Sequence, residues 1–376
     1  MSEGSLAEEL GRKRVDVDRV RELCQELLEQ QGRLPDHLRE DAWVTLLACR
    51  TKDSSAVDAW VARFRSGEDS AEKKDDPVWK TAASSDWFKV LKADVPRTRT
   101  DNAFFIENPR AHIDLELLLT FYCVSRGVAY KQGLNEILAP FLALRGTDEV
   151  CRSETKPLGK LYMAFYSLIN KFLPSIYDDE AFQTLQLLFR LFQQLLLYHD
   201  PELCSFLDQH DLLPELYAIP WFITLFARAV PLQNVYALWD LYIVHDDSFL
   251  HFLMAVVIMI QNRERMLAAD AHELAVEIAN MQKALKEMTG LNDCVKKALR
   301  FRAQTPLSFR QELFEISFSQ KKTKLDADKL TAKLAQYRSQ PCMLIPPEEV
   351  LQQISSDSHV TFRNLLRLTF SGCWNC

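Results

Sequence analysis

Apolar side chains recur along this chain at the spacing of an α-helix, and this pattern restricts its fold more than any other feature. From Leu185 to Leu196 they follow positions i, i+3, i+4 and i+7 over three turns, and Leu115 to Tyr122 and Val235 to Tyr242 repeat the pattern. Strand-like alternation is not sustained between residues 10 and 310, and the chain has only 10 glycines for tight turns. We therefore predict an all-α array of roughly a dozen helices.

Prolines next to short polar or apolar residues mark where helices should begin or break. These positions are Leu34-Pro35-Asp36, Asn108-Pro109, Asp200-Pro201 and Pro214. The most apolar run, Phe249 to Ile260, is shorter than the roughly 20 residues that cross a bilayer, so we interpret it as a buried core helix. The polar stretch Ser66 to Asp76 contains almost no apolar side chain and predicts a mobile loop.

Composition excludes several classes of protein. The 376 residues suffice for one large or two ordinary domains, and a net charge of −7 disfavours binding to nucleic acid. Nine scattered cysteines do not form a disulfide framework, and Cys49 and Cys123 lie on apolar helical faces, which favours a reducing, cytoplasmic location. Residues 1–20 contain no apolar core of a signal peptide, and we expect no transmembrane segment.

The chain shows no signature of a bound metal or nucleotide. Its histidines have no ligand spacing with one another or with cysteines, so no metal site is predicted. A G-x-x-x-x-G-K phosphate-binding loop is also missing from the sequence. We therefore expect no cofactor of the chain's own.

The first candidate functional segment is Leu-Lys-Ala-Asp-Val-Pro-Arg at residues 91–97. Pro96 fixes its own φ and should push Val95 toward an extended conformation, which would aim Arg97 in one direction. By itself, such an arginine is more simply a solvated charge or the local ion-pair partner of Asp94. Its planar guanidinium is also suited to bidentate contact with phosphate oxygens.

The second segment is Tyr-Lys-Gln-Gly at residues 130–133. Gly133 permits a positive φ or a close backbone approach, which would turn the amide of Gln132 outward. One alternative is that Gln132 only caps the helix that starts near Leu134. The other is chemical, because an amide can accept a hydrogen bond from a water molecule and donate one to a phosphate at the same time.

The order of these motifs resembles the paired signature of the TBC domain, a GTPase-activating module for Rab proteins. The family pattern I-x-x-D-x-x-R followed by Y-x-Q-G is present here with Leu91 in the first position. Arg39-x-x-x-Trp43 is similar to the family's opening motif, and Trp239-Asp240 follows later in the expected order. The likeness covers about residues 30–315.

This resemblance implies the V-shaped multi-helix TBC fold and an activator of a GTP-bound Rab small GTPase, without catalytic turnover of its own. It implies an arginine finger at Arg97 and a glutamine finger at Gln132, while the GTP and Mg²⁺ belong to the Rab. Supporting roles would fall to neighbouring residues, with Asp94 holding the finger loops and Tyr130 lying beside the Rab switch region. The resemblance further implies a support at Gly133 and a structural brace formed by Arg39, Trp43, Trp239 and Asp240.

A narrower likeness points to the TBC–rhodanese branch typified by TBC domain family member 23. It is carried by residues 198–208, 217–221 and 305–310. Animal members of that branch usually lack both finger residues and are associated with capture of endosome-derived vesicles at the Golgi. The alternative function is therefore a non-catalytic trafficking adaptor that binds tethering proteins, recruited peripherally to Golgi or endosomal membranes. Because this chain retains Arg97 and Gln132, activation of a GTPase is the preferred prediction.

The expected domain organisation has four parts. Residues 1–29 form a helical extension, residues 30–315 the TBC domain, and residues 316–340 a charged linker. Residues 341–376 resemble the opening of a rhodanese-like domain but are too few to complete one, so we expect a partial domain or an unstructured tail there.

Overall fold

A computed structural model describes residues 2–47, 54–65, 73, 75–144, 157–173, 176–177, 182–269 and 271–318. Within these residues the fold is all-α, with nineteen α-helices, four short 3-10 turns and no β-strand. The number exceeds the predicted dozen because many of the helices are short and because prolines divide longer helical stretches. Most of the predicted linker and the whole rhodanese-like segment, residues 341–376, lie outside the described residues.

The described chain forms two compact units. The first consists of residues up to Leu173 together with Thr224–Asp247. Its helices are α1 (Ser2–Leu10), α2 (Val17–Gln31), α3 (Asp36–Leu46), α4 (Ser54–Phe64), α5 (Pro77–Ala83), α6 (Trp87–Asp94), α7 (Ala103–Glu107), α8 (Arg110–Arg126), α9 (Leu134–Ala143), α10 (Gly159–Phe172) and α14 (Leu232–His245). The predicted boundary between residues 29 and 30 falls in the last turn of α2.

The second unit contains the intervening residues up to Ile223 and the residues from Ser248 onward. Its helices are α11 (Gln183–His199), α12 (Pro201–Gln209), α13 (Ile219–Thr224), α15 (Leu250–Gln261), α16 (Arg263–Ala268), α17 (Ala271–Asn280), α18 (Met288–Gln304) and α19 (Leu307–Phe318). The last of these helices extends past residue 315, where the sequence predicted the end of the domain.

The predicted helix starts are confirmed. Helix α3 begins directly after Pro35, and α8 begins directly after Pro109. Asp200 is the N-cap of α12, where its carboxylate accepts a hydrogen bond of 3.0 Å from the Leu203 N–H. Pro214 opens a 3-10 turn. Each proline occupies a position where its missing N–H leaves no helical hydrogen bond unmade.

The apolar run from Phe249 to Ile260 forms most of α15, whose residues Leu250–Met259 are buried. This confirms the prediction of a core helix. Among the described helices, none combines the length and apolar character that crossing a membrane requires.

Most of the predicted mobile loop, residues 66–76, lies outside the described residues, but Asp76 at its C-terminal end has a defined position. It is buried and serves as the N-cap of α5, where its carboxylate accepts hydrogen bonds from the Val78 and Trp79 N–H groups. The indole N–H of Trp60 also donates to it, at 3.3 Å. These donors give the carboxylate a defined position, which composition alone did not reveal.

A fully buried carboxylate, Asp240 on α14, organises the core of the first unit. Its two oxygens accept from Nε of Arg39 at 3.1 and 3.2 Å, from the indole N–H of Trp43 at 2.8 Å and from the Leu34 N–H at 2.8 Å. The ring of Trp43 lies 5.9 Å from that of Trp239. The structure thus brings together the four residues that the resemblance assigned to a brace, across about 200 positions of sequence.

The charges of this pair are tightly coupled. Burial raises the pKa of the Asp240 carboxyl, and the charge and hydrogen bonds of Arg39 oppose that effect. Arg39 is itself buried and stays protonated, because Asp240 and Asp36 together outweigh the cost of its desolvation. A buried pair with this many hydrogen bonds specifies one arrangement of α3 against α14.

The described cysteines, Cys24, Cys123, Cys204 and Cys294, are free and buried. Cys123 is buried, as predicted, and burial raises the pKa of its thiol to about 12. Cys49, the other cysteine assigned to an apolar face, lies outside the described residues.

Candidate functional site

Arg97 is the last residue of a 3-10 turn, Val95–Arg97, that directly follows α6. The expectation of an extended Val95 is wrong, since its φ of −52° and ψ of −52° are helical. The Val95 N–H still bonds to the Leu91 carbonyl, and Pro96 then occupies an early position of a new, tighter turn where no donor is needed. Arg97 is therefore oriented by a helical turn and not by an extended strand.

The side chain of Arg97 is exposed and makes no hydrogen bond or ion pair with the residues that the structure describes. The local pairing with Asp94 that the sequence allowed does not form. Asp94 is buried instead, and its carboxylate accepts a hydrogen bond of 3.1 Å from the Tyr130 hydroxyl. The guanidinium of Arg97 is left available to a partner.

Gln132 lies in the turn before α9 and is exposed. It does not cap that helix. The N-cap is Gly133, whose φ of +114° is one of the two alternatives that the sequence left open, and no side chain caps the helix from this position. Within the described part of the chain the amide of Gln132 has no polar contact, so it too is free for a partner.

Tyr130 is buried, with only 4% of its surface exposed. The role beside the switch region of the partner that the resemblance implies stays a prediction. The Tyr130 hydroxyl lies 3.1 Å from Asp94 Oδ2 and 3.0 Å from Asn135 Oδ1. Tyr130 therefore connects the segment that carries Arg97 to the segment that carries Gln132.

Sequence reasoning missed Asn135 and Thr98, which are both buried. Asn135 Oδ1 accepts from the Gly133 N–H at 3.1 Å, and its Nδ2 donates to Thr98 Oγ1 at 2.9 Å. The Thr98 hydroxyl in turn donates to the Asp94 carbonyl at 2.9 Å. A short polar side chain in the first turn of the mostly apolar helix α9 was the available signal.

Arg99 is the second residue that sequence reasoning missed on the Arg97 side. It has a positive φ of 51°, and its Nε lies 3.1 Å from Glu136 Oε2. Its guanidinium also donates to the carbonyls of Ala227 and Val230. The backbone conformation of Arg99 turns this charged side chain inward, opposite to the exposed Arg97.

The described residues include no group of three or more His, Cys, Asp or Glu side chains arranged to hold a metal ion. The histidine of this region contacts the backbone: His112 Nε2 lies 3.1 Å from the Thr98 carbonyl oxygen. It supports the backbone next to Arg97.

Comparison with known proteins assigns this chain to a protein family. The model of the Rab-GTPase-TBC domain matches residues 36–267, which is more than half of the chain. The chain belongs to the Rab-GTPase-TBC domain family. Both exposed side chains, Arg97 and Gln132, lie inside the matched region of this TBC domain.

Curated relatives share the TBC region. The human TBC domain-containing protein kinase-like protein is 28% identical over 221 residues, which are 58% of this chain and 23% of that protein. Its counterpart in Dictyostelium discoideum is 29% identical over 223 residues, 58% of this chain and 20% of that protein. Human TBC1 domain family member 22A is 24% identical over 215 residues, 53% and 41% of the two chains. The chain therefore spans about a quarter of the length of the kinase-like relatives it matches.

Two solved structures share the fold of this TBC domain. The Ypt/Rab-GAP domain of Gyp1p superimposes with a TM-score of 0.61 at 13% identity, over 80% of this chain and 98% of that chain. The Chlamydomonas flagellar RabGAP TBC domain superimposes with a TM-score of 0.53 at 18% identity, over 80% and 93%. At these identities the likeness concerns the fold alone.

Proposed function

We propose that this TBC domain is a GTPase-activating protein that supplies Arg97 and Gln132 to a GTP-bound Rab small GTPase. The observation that supports this most directly is that both side chains are exposed and without polar partners among the described residues. Arg39 and Arg99, by contrast, are paired with carboxylates of this chain. Two unpaired polar side chains on mutually bonded loops fit a role completed only by a partner.

The proposed role of Arg97 is to stabilise negative charge on the phosphate oxygens. In GTP hydrolysis negative charge develops on the phosphate oxygens as the γ-phosphoryl group separates from the β-phosphate, and a guanidinium brought to that position stabilises it. An arginine supplied in trans accelerates such reactions by about 10³–10⁵-fold. Lysine would replace it poorly, since an ammonium lacks the planar pair of donors.

The proposed role of Gln132 is to orient the attacking water. Its carbonyl oxygen accepts a hydrogen bond from the attacking water, and its NH₂ group donates to a γ-phosphate oxygen. The water is thereby held in line with the bond that breaks, which lowers the entropic part of the barrier. Gln132 itself gains or loses no proton in this step.

The partner GTPase would bring the remaining components. The GTP and its Mg²⁺ are held by the Rab, and this chain contributes two side chains without turning over a substrate of its own. We extend the proposal to vesicle trafficking, with peripheral recruitment of the chain to Golgi or endosomal membranes and contacts to tethering proteins there. That extension is motivated by the resemblance of residues 198–208, 217–221 and 305–310 to the TBC–rhodanese branch.

Single-turnover GTP hydrolysis across a panel of purified Rabs tests the proposal. We expect one or a few Rabs to be accelerated, and Arg97→Ala or Gln132→Ala to reduce that acceleration by about 10²-fold or more. The matched control is Arg14→Ala, which removes another exposed arginine without polar contacts among the described residues. It should retain full activity.

The outcome separates catalysis from the adaptor alternative. Full acceleration by a folded Arg97→Ala variant would show that this arginine is not a finger. If the folded wild-type chain accelerates no Rab, the TBC domain serves as a docking platform instead, and its partners should bind equally well after either substitution.

A further inference from the structure

Three polar contacts join the two loops that carry the exposed side chains. We name residues 94–99 the Arg97 loop and residues 130–136 the Gln132 loop. Asp94 accepts a hydrogen bond from Tyr130 at 3.1 Å, Thr98 accepts one from Asn135 at 2.9 Å, and Arg99 forms an ion pair with Glu136 at 3.1 Å. These contacts follow one another in matching order along both loops.

The positions of the contacts relative to the two side chains are informative. On the Arg97 loop one contact precedes Arg97 and two follow it, and on the Gln132 loop one contact precedes Gln132 and two follow it. Each exposed side chain therefore projects from a backbone segment that is held at both ends by the other loop. A shift of one loop would therefore alter contacts that position the other.

Burial makes these contacts effective. Thr98 and Asn135 are among the buried polar residues, and Tyr130 and Asp94 are buried beside them. A polar group that loses its partner in such a place also loses access to water, so opening one contact is costly. The Gly133 N–H extends the network to the residue after Gln132, because it donates to the same Asn135 oxygen that lies beside Tyr130.

We propose that the Arg97 loop and the Gln132 loop form one mechanically coupled unit, in which Thr98 and Asn135 are positioning residues for both fingers. Thr98 contacts the loop of Gln132 through Asn135, so it sets the geometry of a glutamine that it does not touch. This inference rests on the proposed function for its catalytic consequence, but the coupling itself is a property of the chain alone.

The test alters one loop and measures the other. Thr98→Val keeps the size of the side chain and removes the hydroxyl that accepts from Asn135. Amide hydrogen exchange at Gly133 should then rise by about fivefold or more, the factor that corresponds to the net contribution of one hydrogen bond. Thr98→Ser retains the hydroxyl and should restore the wild-type rate of exchange.

Thr120→Val is the matched control. Thr120 is also fully buried in the first unit, but its hydroxyl has no hydrogen-bond partner among the described residues. Its replacement should leave the exchange of Gly133 unchanged. This comparison separates coupling between the loops from a general effect of losing a buried hydroxyl.

A kinetic measurement completes the test. With a responsive GTPase, Thr98→Val should lower the stimulated kcat by about tenfold and leave KM for the GTPase nearly unchanged, because alignment is lost and docking is not. Unchanged exchange at Gly133, an unchanged kcat, or a Thr98→Ser variant as defective as Thr98→Val would each overturn the inference. A wild-type chain that accelerates no GTPase would refute the proposed function, and the exchange measurement would still decide the coupling.

Discussion

At the scale of single residues, the buried carboxylate of Asp240 joins several donors in the core of the first unit. It is completely buried and accepts from a guanidinium, an indole N–H and a backbone N–H. A carboxylate is needed because all three groups are donors, and one of them carries a positive charge. Asparagine has nearly the same shape, but its NH₂ group is itself a donor and would face these donors without an acceptor.

We therefore predict that Asp240→Asn lowers the free energy of unfolding by about 3–5 kcal/mol, the cost of leaving a buried charge without its counter-charge. Urea denaturation followed by circular dichroism measures this. Asp41→Asn is the control, since Asp41 is exposed on the same helix as Arg39 and should change the free energy by less than about 0.5 kcal/mol. Equal effects of the two substitutions would contradict the assignment of Asp240 as a brace.

At the scale of secondary-structure elements, Gly159 permits α10 to start directly against α4. Its N–H donates to Asp58 Oδ1 at 2.6 Å, and a Cβ at this position would lie 2.3 Å from the Ser54 carbonyl oxygen. That distance is far below van der Waals contact with a backbone atom, which cannot move away without displacing α4. The close approach of these two helices therefore requires glycine at this position.

We predict that Gly159→Ala lowers the free energy of unfolding by about 1–3 kcal/mol, because α4 and α10 must separate to admit the methyl group. Gly4→Ala provides a control of opposite sign. Gly4 lies within α1 with nothing near its missing Cβ, so alanine should stabilise the protein by about 0.5 kcal/mol through its higher helix propensity. Denaturation midpoints of the two variants should move in opposite directions from wild type.

At the scale of the whole molecule, two histidines of the second unit link stability to pH. Burial lowers the pKa of His199 to about 4 and that of His251 to about 3. The His199 ring stacks on Phe301 at 4.3 Å, and its Nε2 lies 2.9 Å from the hydroxyl oxygen of Thr305. Because that hydroxyl donates to the Phe301 carbonyl, His199 Nε2 is the donor in this contact.

We predict that the chain loses stability as the pH falls from 7.5 to 5.0. The folded pKa values lie below the ordinary value of 6.5, so the stabilisation is complete above pH 6.5 and is lost as the unfolded chain takes up protons that the folded chain does not. Each histidine contributes about 1–2 kcal/mol of this loss by pH 5.0. Urea denaturation at the two pH values checks the direction.

A substitution isolates the effect. In His251→Leu the difference in the free energy of unfolding between pH 7.5 and pH 5.0 should shrink. A pH dependence that survives removal of both buried histidines would assign the effect to other groups.

Short-range sequence patterns were sufficient to predict much of the secondary structure of this protein. Helical periodicity predicted the all-α fold, proline and Asp200 predicted where helices begin, and Gly133 permitted the positive φ that it adopts, because each depends on backbone geometry within a few residues. The count of helices was too low, because short helices of five to nine residues show too little periodicity to be recognised.

What only the tertiary structure decided is which buried polar groups meet. Tyr130 is buried and its hydroxyl meets Asp94, so that Asp94 bonds to Tyr130 and not to its neighbour Arg97. The cost of desolvating polar groups determines which of them pair. A buried donor or acceptor must find a partner wherever the packed helices provide one, at 37 positions' distance for Thr98 and Asn135, whereas an exposed side chain remains paired with water. The residues therefore named two candidate fingers, and packing left those two side chains facing solvent while it paired the polar groups around them.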